Sequence, residues 1–226
     1  MKKYLSYILE PGVPVWPGEP GIEITQCSSI SEGDTCNTFT SVLPDHCGTH
    51  YDTPWHFNPL GPKITELPIE YFWFENVFDL DLPKQAGEGV LAEDLKPWEE
   101  EIRKADFLLI RTGFSSVRHE EPEVYGHNGP YLSPEAAEYL VREFPELRTV
   151  GLDFLSVGSP ANDLAEAAHR MLLGCFTEHF VTAIEDMDLS CLHEKHGKIR
   201  RVIAAPLRIA GTDSSQVCVI AEFDEE

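Results

Sequence analysis

Phe107-Leu-Leu-Ile-Arg111 is a short, unbroken apolar run, the pattern of a strand covered on both faces. Downstream, Ser133-Pro134-Glu135 opens a helix, with Ser as N-cap and Pro at the first helical position, and that helix is expected to run to about Phe144. Thr149–Asp153 reads as a second buried strand, Asp163–Leu173 as a helix and Phe180–Ile184 as a strand. Val202–Ile209 and Val217–Phe223 look like a closing pair of strands. This alternation of helix and strand predicts a mixed α/β architecture.

Upstream of that core the texture changes. The first third is rich in Pro and Gly, with short β-type runs at Ser6–Leu9, Ile22–Thr25 and Thr38–Leu43. Its density of chain breakers argues against a regular doubly wound sheet there. Phe74–Leu82 reads as a strand, and Leu91–Lys104 has helical spacing that Pro97 breaks or kinks. Thr112–Leu132, punctuated by Gly113, Pro122, Gly126, Gly129 and Pro130, reads as a loop. Within it, Gly126-His127-Asn128-Gly129 is a candidate lid or subunit contact. No repeat is visible, so residues 1–226 are taken as one domain with an acidic, frayed end at Glu222–Glu226.

Seventeen basic residues against thirty-nine acidic ones give a formal net charge of -22. Such a surface repels phosphate backbones and anionic headgroups, which argues against nucleic acid and membrane partners. The amino terminus has two lysines and a few apolar residues, but Glu10-Pro11-Gly12 cuts it too short for a signal segment. The six cysteines are scattered without a C-x-x-C pair, which suits reduced thiols. The expectation is a cytoplasmic protein.

The chemistry is concentrated in His46-Cys-Gly-Thr-His50-Tyr-Asp52-Thr-Pro-Trp-His56. Its three histidines and one aspartate fall at offsets 0, 4, 6 and 10, all of one parity, so in an extended segment they share a face. Cys47, Tyr51 and Trp55 then point the other way, and Gly48 and Pro54 are placed to bend the chain so that the ligands converge. Imidazole and carboxylate are the donors that zinc and manganese accept. Such a cluster is costly to bury without an ion.

Other candidates are weaker. His169 follows small residues on the predicted helix, and Glu185 stands just after an apolar strand-like run. Glu166, Glu178 and His179 are nearby competitors that spacing does not separate from them. Trp16, Trp55, Phe57, Phe72 and Trp73 are candidate walls for a substrate, with Trp16 favoured because Pro-Gly follows it. Cys47 as a nucleophile is disfavoured, because its parity turns it from the ligands and no basic neighbour is evident to activate it.

The run His46-x-Gly-Thr-His50-x-Asp52-x-Pro-x-His56 resembles the signature of the cyclase family, which includes bacterial kynurenine formamidases (arylformamidases) and isatin hydrolases. Val15-Trp16-Pro17-Gly18, Leu108–Gly113, Val150–Ser156 and Pro206–Gly211 resemble further elements of that family in the same order, so the similarity spans nearly the whole chain. The resemblance implies a swivelling β/β/α-type α/β single domain with a mixed sheet. It also implies assembly as a homodimer or homotetramer, and one or two divalent ions per subunit, zinc or manganese. Carried over by position, His46, His50 and Asp52 hold a first ion. Asp52 bridges to a second ion held by His169 and a glutamate, and His56 is the catalytic acid/base. Glu185 is the best match for that glutamate, with Glu178 as the fallback because the stretch after His169 is about four residues longer than in the formamidases.

The activity so implied is hydrolysis of a non-peptide amide, an aryl formamide such as N-formylkynurenine or a cyclic amide, by ion-activated water. A non-catalytic metal-binding protein on the same fold, and a metal-dependent lyase or dehydratase acting on a hydroxy acid, are the rival readings. Binding an ion through His46, His50 and Asp52 does not require His56, so its presence favours catalysis.

Overall fold

The computed structural model describes residues 1–193 and 198–224. Its strands are β1 (Lys2–Tyr4), β2 (Glu23–Ser28), β3 (Thr38–Val42), β4 (His50–Asp52), β5 (Trp73–Phe74), β6 (Val77–Asp81), β7 (Gly89–Val90), β8 (Phe107–Arg111), β9 (Tyr131–Leu132), β10 (Thr149–Leu152), β11 (Thr182–Glu185), β12 (Ile199–Pro206) and β13 (Ser214–Phe223). Its α-helices are α1 (Ala92–Leu95), α2 (Glu99–Ile102), α3 (Ser115–Glu120), α4 (Pro122–Asn128), α5 (Pro134–Glu143) and α6 (Ala165–Leu172).

One nine-stranded mixed sheet organises the chain, in the order β5-β12-β13-β4-β11-β10-β8-β6, with β1 added along β13. Strands β6, β8, β10 and β11 run parallel, and β4, β13, β12 and β5 continue antiparallel from β11. The unbroken apolar run of β8 is buried throughout because both faces of the sheet are covered. Its side chains alternate: Leu108 and Ile110 join the core on one face with α5 and α6, while Phe107 and Leu109 join the other with Tyr51, Phe74 and Val202. Helix α5 starts as its sequence demands, with the Ser133 hydroxyl accepting from Ala136 N at 3.1 Å and Pro134 at the first position.

Several boundaries move, each for a local reason. The Thr112–Leu132 segment is not a loop: it folds as α3, α4 and β9. Pro122 sits in the first turn of α4, and Val117, Val124 and Tyr125 pack on the core, so the Pro and Gly residues frame two short helices instead of punctuating a loop. Gly126, His127 and Asn128 therefore belong to a helix rather than to a lid loop. The Phe74–Leu82 run splits into β5 and β6 because the amides of Glu75 and Asn76 turn to the Asp106 carboxylate. At the amino terminus the strand is Lys2–Tyr4, and Ser6 makes only an isolated bridge to Met187. At the other end Glu222 and Phe223 are paired in β13 rather than frayed, while Glu225 and Glu226 lie outside the described residues.

The β2–β3 hairpin stands apart: almost every residue of its two strands is exposed, Ile24, Phe39 and Val42 included. Among the described residues no helix is long and apolar enough to cross a membrane.

Candidate active site

The His46–His56 run is not one extended ribbon. Only His50–Asp52 is strand, Gly48 turns the chain in the left-handed region at φ 68, and Pro54–His56 closes into a 3-10 turn. These bends at Gly48 and Pro54 bring His46 and His56 back over the strand. A side chain at Gly48 would also collide with Leu9, its Cβ lying 2.4 Å from Leu9 Cδ2. Within β4 the parity holds: His50 and Asp52 face one side, and Tyr51 is buried on the other among Phe74, Phe107 and Ile184. Cys47 is buried against Val13 and Ile22, and burial pushes its thiol up, which removes it as a nucleophile.

Sheet register then supplies the remaining groups. Glu185 ends β11 directly opposite His50, and His169 arrives from α6. Glu185 Oε2 lies 3.1 Å from His50 Nε2, and its Oε1 lies 3.3 Å from His169 Nε2. Asp52 Oδ1 is 3.0 Å from His46 Nδ1 and 3.4 Å from His50 Nε2, and Asp52 Oδ2 is 3.9 Å from His169 Nε2. The structure thus gathers His46, His50, Asp52, His169 and Glu185, and Glu178 is exposed on the surface instead. Two sets lie within ligand spacing, His50–Asp52–Glu185 and His46–Asp52–His56, and Asp52 belongs to both. This grouping differs from the one implied by the family signature, in which His46 and His50 share an ion.

The outer hydrogen bonds orient the rings. His50 Nδ1 donates to Gly48 O at 2.8 Å and His169 Nδ1 donates to Ala165 O at 2.7 Å, so each turns its Nε2 toward the carboxylates. Glu185 Oε1 is braced by Ser156 Oγ at 3.0 Å and Val157 N at 2.6 Å. Yet His50 Nε2 and both Asp52 oxygens are buried without a well-directed hydrogen bond, although other polar atoms surround them. Polar atoms left in this way are costly to bury, and a divalent cation satisfies all of them at once. The residues present therefore fit such an ion.

Electrostatics agree. Burial disfavours charge on His46, His50 and His169, but Asp52 with Asp213 or Glu185 outweighs it and raises the proton affinity of all three imidazoles. Burial likewise opposes the Asp52 carboxylate, and the imidazoles of His46, His50 and His56 hold it well below the ordinary range. Without an ion the cluster keeps its balance by holding protons, which a cation can replace.

Asp213 is the residue at the site that sequence reading missed. Its Oδ2 accepts from His56 Nδ1 at 2.7 Å and lies 3.2 Å from His46 Nε2. Its backbone oxygen receives Thr53 N and Thr53 Oγ1, clamping it to the motif. It stands 157 residues from His56 in the chain, where no local pattern marks it. The cluster opens on a cavity of about 440 Å³ lined by Trp16, Phe57, His46, His56, His169 and Ser156, with Glu19, Asp45 and Glu166 also contributing. Phe57 stacks on His169 at 4.8 Å. Trp55, Phe72 and Trp73 do not line this cavity, and Trp55 packs beneath Lys63 instead.

The Cyclase family (Putative cyclase) matches residues 4–159 of the chain. A kynurenine formamidase of Bacillus cereus is 28% identical over 214 residues, which cover 94% of this chain and 93% of that protein. An uncharacterized protein of Haemophilus influenzae is 40% identical over 129 residues, 57% of this chain and 91% of its own length. Among solved structures, isatin hydrolase A from Ralstonia solanacearum aligns with a TM-score of 0.81 at 18% identity, over 99% of this chain and 92% of that one. At that identity the likeness is one of fold.

Proposed function

The chain belongs to the Cyclase family, and on that premise we propose that it is a metal-dependent hydrolase of non-peptide C–N bonds, acting on an aryl formamide such as N-formylkynurenine or on a cyclic amide. The observation that carries this reading is Asp52, buried, shared by two ligand-spaced groups and set against His46 and His169, which line an aromatic-walled cavity. His46, His50, Asp52, His169 and Glu185 would hold one or two ions, zinc or manganese, since mixed imidazole and carboxylate ligation accepts either. When bound, a divalent ion supplies Lewis acidity for the amide carbonyl and lowers the pKa of the attacking water.

The protein's own groups do the rest. His56 gives its Nδ1 proton to the Asp213 hydrogen bond, so Nε2 is the atom left to take a proton from water. As the water oxygen bonds to the carbonyl carbon and the C–N bond breaks, the same nitrogen returns that proton to the leaving amine. Amines leave poorly until protonated, so an amide site needs this acid. Trp16 and Phe57 supply flat apolar walls against which an aryl ring packs. The acidic side chains at the cavity, with no Lys or Arg among the described residues that line it, suit a neutral amide.

The test is elemental analysis of the purified protein, followed by turnover of N-formylkynurenine, isatin and simple aryl formamides with each metal restored. His56→Ala should keep the wild-type metal load and lose roughly 100-fold or more in turnover. Undiminished turnover at full load would remove His56 from the mechanism.

Cys27, Cys36, Cys47, Cys175 and Cys218 are free thiols, which supports a cytoplasmic setting. We assign the homodimer or homotetramer contact to the exposed β2–β3 arm, since a two-stranded ribbon is marginal in water by itself. Light scattering decides it: Phe39→Ser combined with Val42→Ser should yield monomer, and an unchanged mass places the contact elsewhere.

A further inference from the structure

Asp186, the residue after Glu185, is the only non-glycine with a left-handed backbone among the described residues, at φ 50. Aspartate adopts that conformation at a cost, and such strain persists only where the surroundings over-determine it. Here they do. The carboxylate, 1% exposed, accepts from Arg118 Nε and Nη2 at 2.7 Å each and from the Tyr125 hydroxyl at 2.7 Å. Its backbone N donates to Phe154 O at 3.0 Å, and its carbonyl accepts from Thr49 Oγ1 at 2.5 Å.

The ties continue outward. Thr49 Oγ1 in turn accepts from Tyr7 N at 3.0 Å, and the Arg118 guanidinium lies 3.9 Å over the Tyr7 ring. Arg118 comes from α3 and Tyr125 from α4, the two helices that replace the predicted loop. None of Arg118, Tyr125 and Asp186 lines the cavity around the histidines.

A buried ion pair of this kind is a poor way to gain stability, because apolar side chains of similar size usually do as well. What the pair does control is direction. Strand β11 stops at Glu185, and the left-handed residue turns the chain so that Met187 N meets Leu152 O at 2.9 Å. A change of backbone angle at Asp186 swings the Glu185 carboxylate away from His50 and His169. The Thr49 tie reaches the other side of the cluster, one residue from His50.

We propose that Arg118 and Tyr125, acting through Asp186, are positioning residues for the metal centre, holding Glu185 and His50 at ligand spacing and so setting how tightly an ion is held. This rests on the metal-hydrolase reading above. Outer hydrogen-bond partners of ligands commonly control metal affinity by about 10- to 100-fold.

The test titrates zinc, and separately manganese, into the chelator-stripped full chain against a competing dye, with folding checked by circular dichroism. Asp186→Asn tolerates the left-handed backbone but removes the charge, Tyr125→Phe removes one hydroxyl, and Thr49→Val cuts the tie to the Asp186 carbonyl together with the bond from Tyr7 N. Each should fold, lose about tenfold or more in metal affinity, and show a lowered kcat that excess metal restores while KM stays near wild type. Folded variants that bind both metals within about twofold of wild type would overturn the positioning role alone. Wild-type protein that takes up neither ion would overturn the metal-hydrolase reading, and this inference with it.

Discussion

Replacing Asp213 by Asn keeps the volume of the side chain and deletes the charge facing His56 Nδ1 at 2.7 Å and His46 Nε2 at 3.2 Å. The backbone clamp on Thr53 survives, because it uses the main-chain oxygen of residue 213. What is lost is a charge-assisted hydrogen bond, worth roughly 1.5–3 kcal/mol. The Asp213 side chain keeps 26% of its exposure, which places the loss in the lower part of that range. The expected fall in kcat is then roughly 10- to 30-fold. Because Asp213 also faces His46, the assay is run at saturating zinc or manganese with the bound metal counted for both proteins. A KM near wild type alongside the lowered kcat locates the loss in the proton-transfer step rather than in substrate binding. A kcat within about twofold of wild type at equal metal load would refute the argument that a carboxylate orients His56.

Loading of the ion-free protein should release protons. Asp52 with Asp213 or Glu185 raises His46, His50 and His169 above their ordinary value of 6.5, so these imidazoles hold protons that a cation must displace. Apparent affinity should therefore keep climbing as the pH rises past 6.5, toward about 11, where His46 gives up its proton. Calorimetry in two buffers of different ionisation enthalpy reads the released protons directly, and no net release contradicts the ion-free charge state. Gly48→Ala forces a side chain into φ 68 and against Leu9 Cδ2. The backbone term alone is about 1–2 kcal/mol, or about 2–8 °C in the melting temperature of the ion-free chain. An unchanged melting temperature would show that the turn before His50 relaxes freely.

The residue types of the site were legible in the sequence because a metal centre needs a particular donor set, and His46, His50, Asp52 and His56 supply it within one short run. The strands β8, β10 and β11 were legible for an equally local reason: continuous apolar runs have no stable place except a sheet covered on both faces. The two helices between Thr112 and Leu132 were not, since short helices framed by Pro and Gly carry the same local signals as a loop.

Convergence belonged to the tertiary structure. Sheet register set Glu185 opposite His50 and so separated it from Glu178, a choice that spacing along the chain could not make. Asp213 reached His56 only because the turn before β13 is clamped to Thr53, far away in sequence. Asp186 and its partners on α3 and α4 show the same division. Donor chemistry is a property of side chains and can be read one residue at a time. Distances of a few ångströms between side chains distant in the chain are set by sheet pairing and packing, and those exist only once the chain has folded.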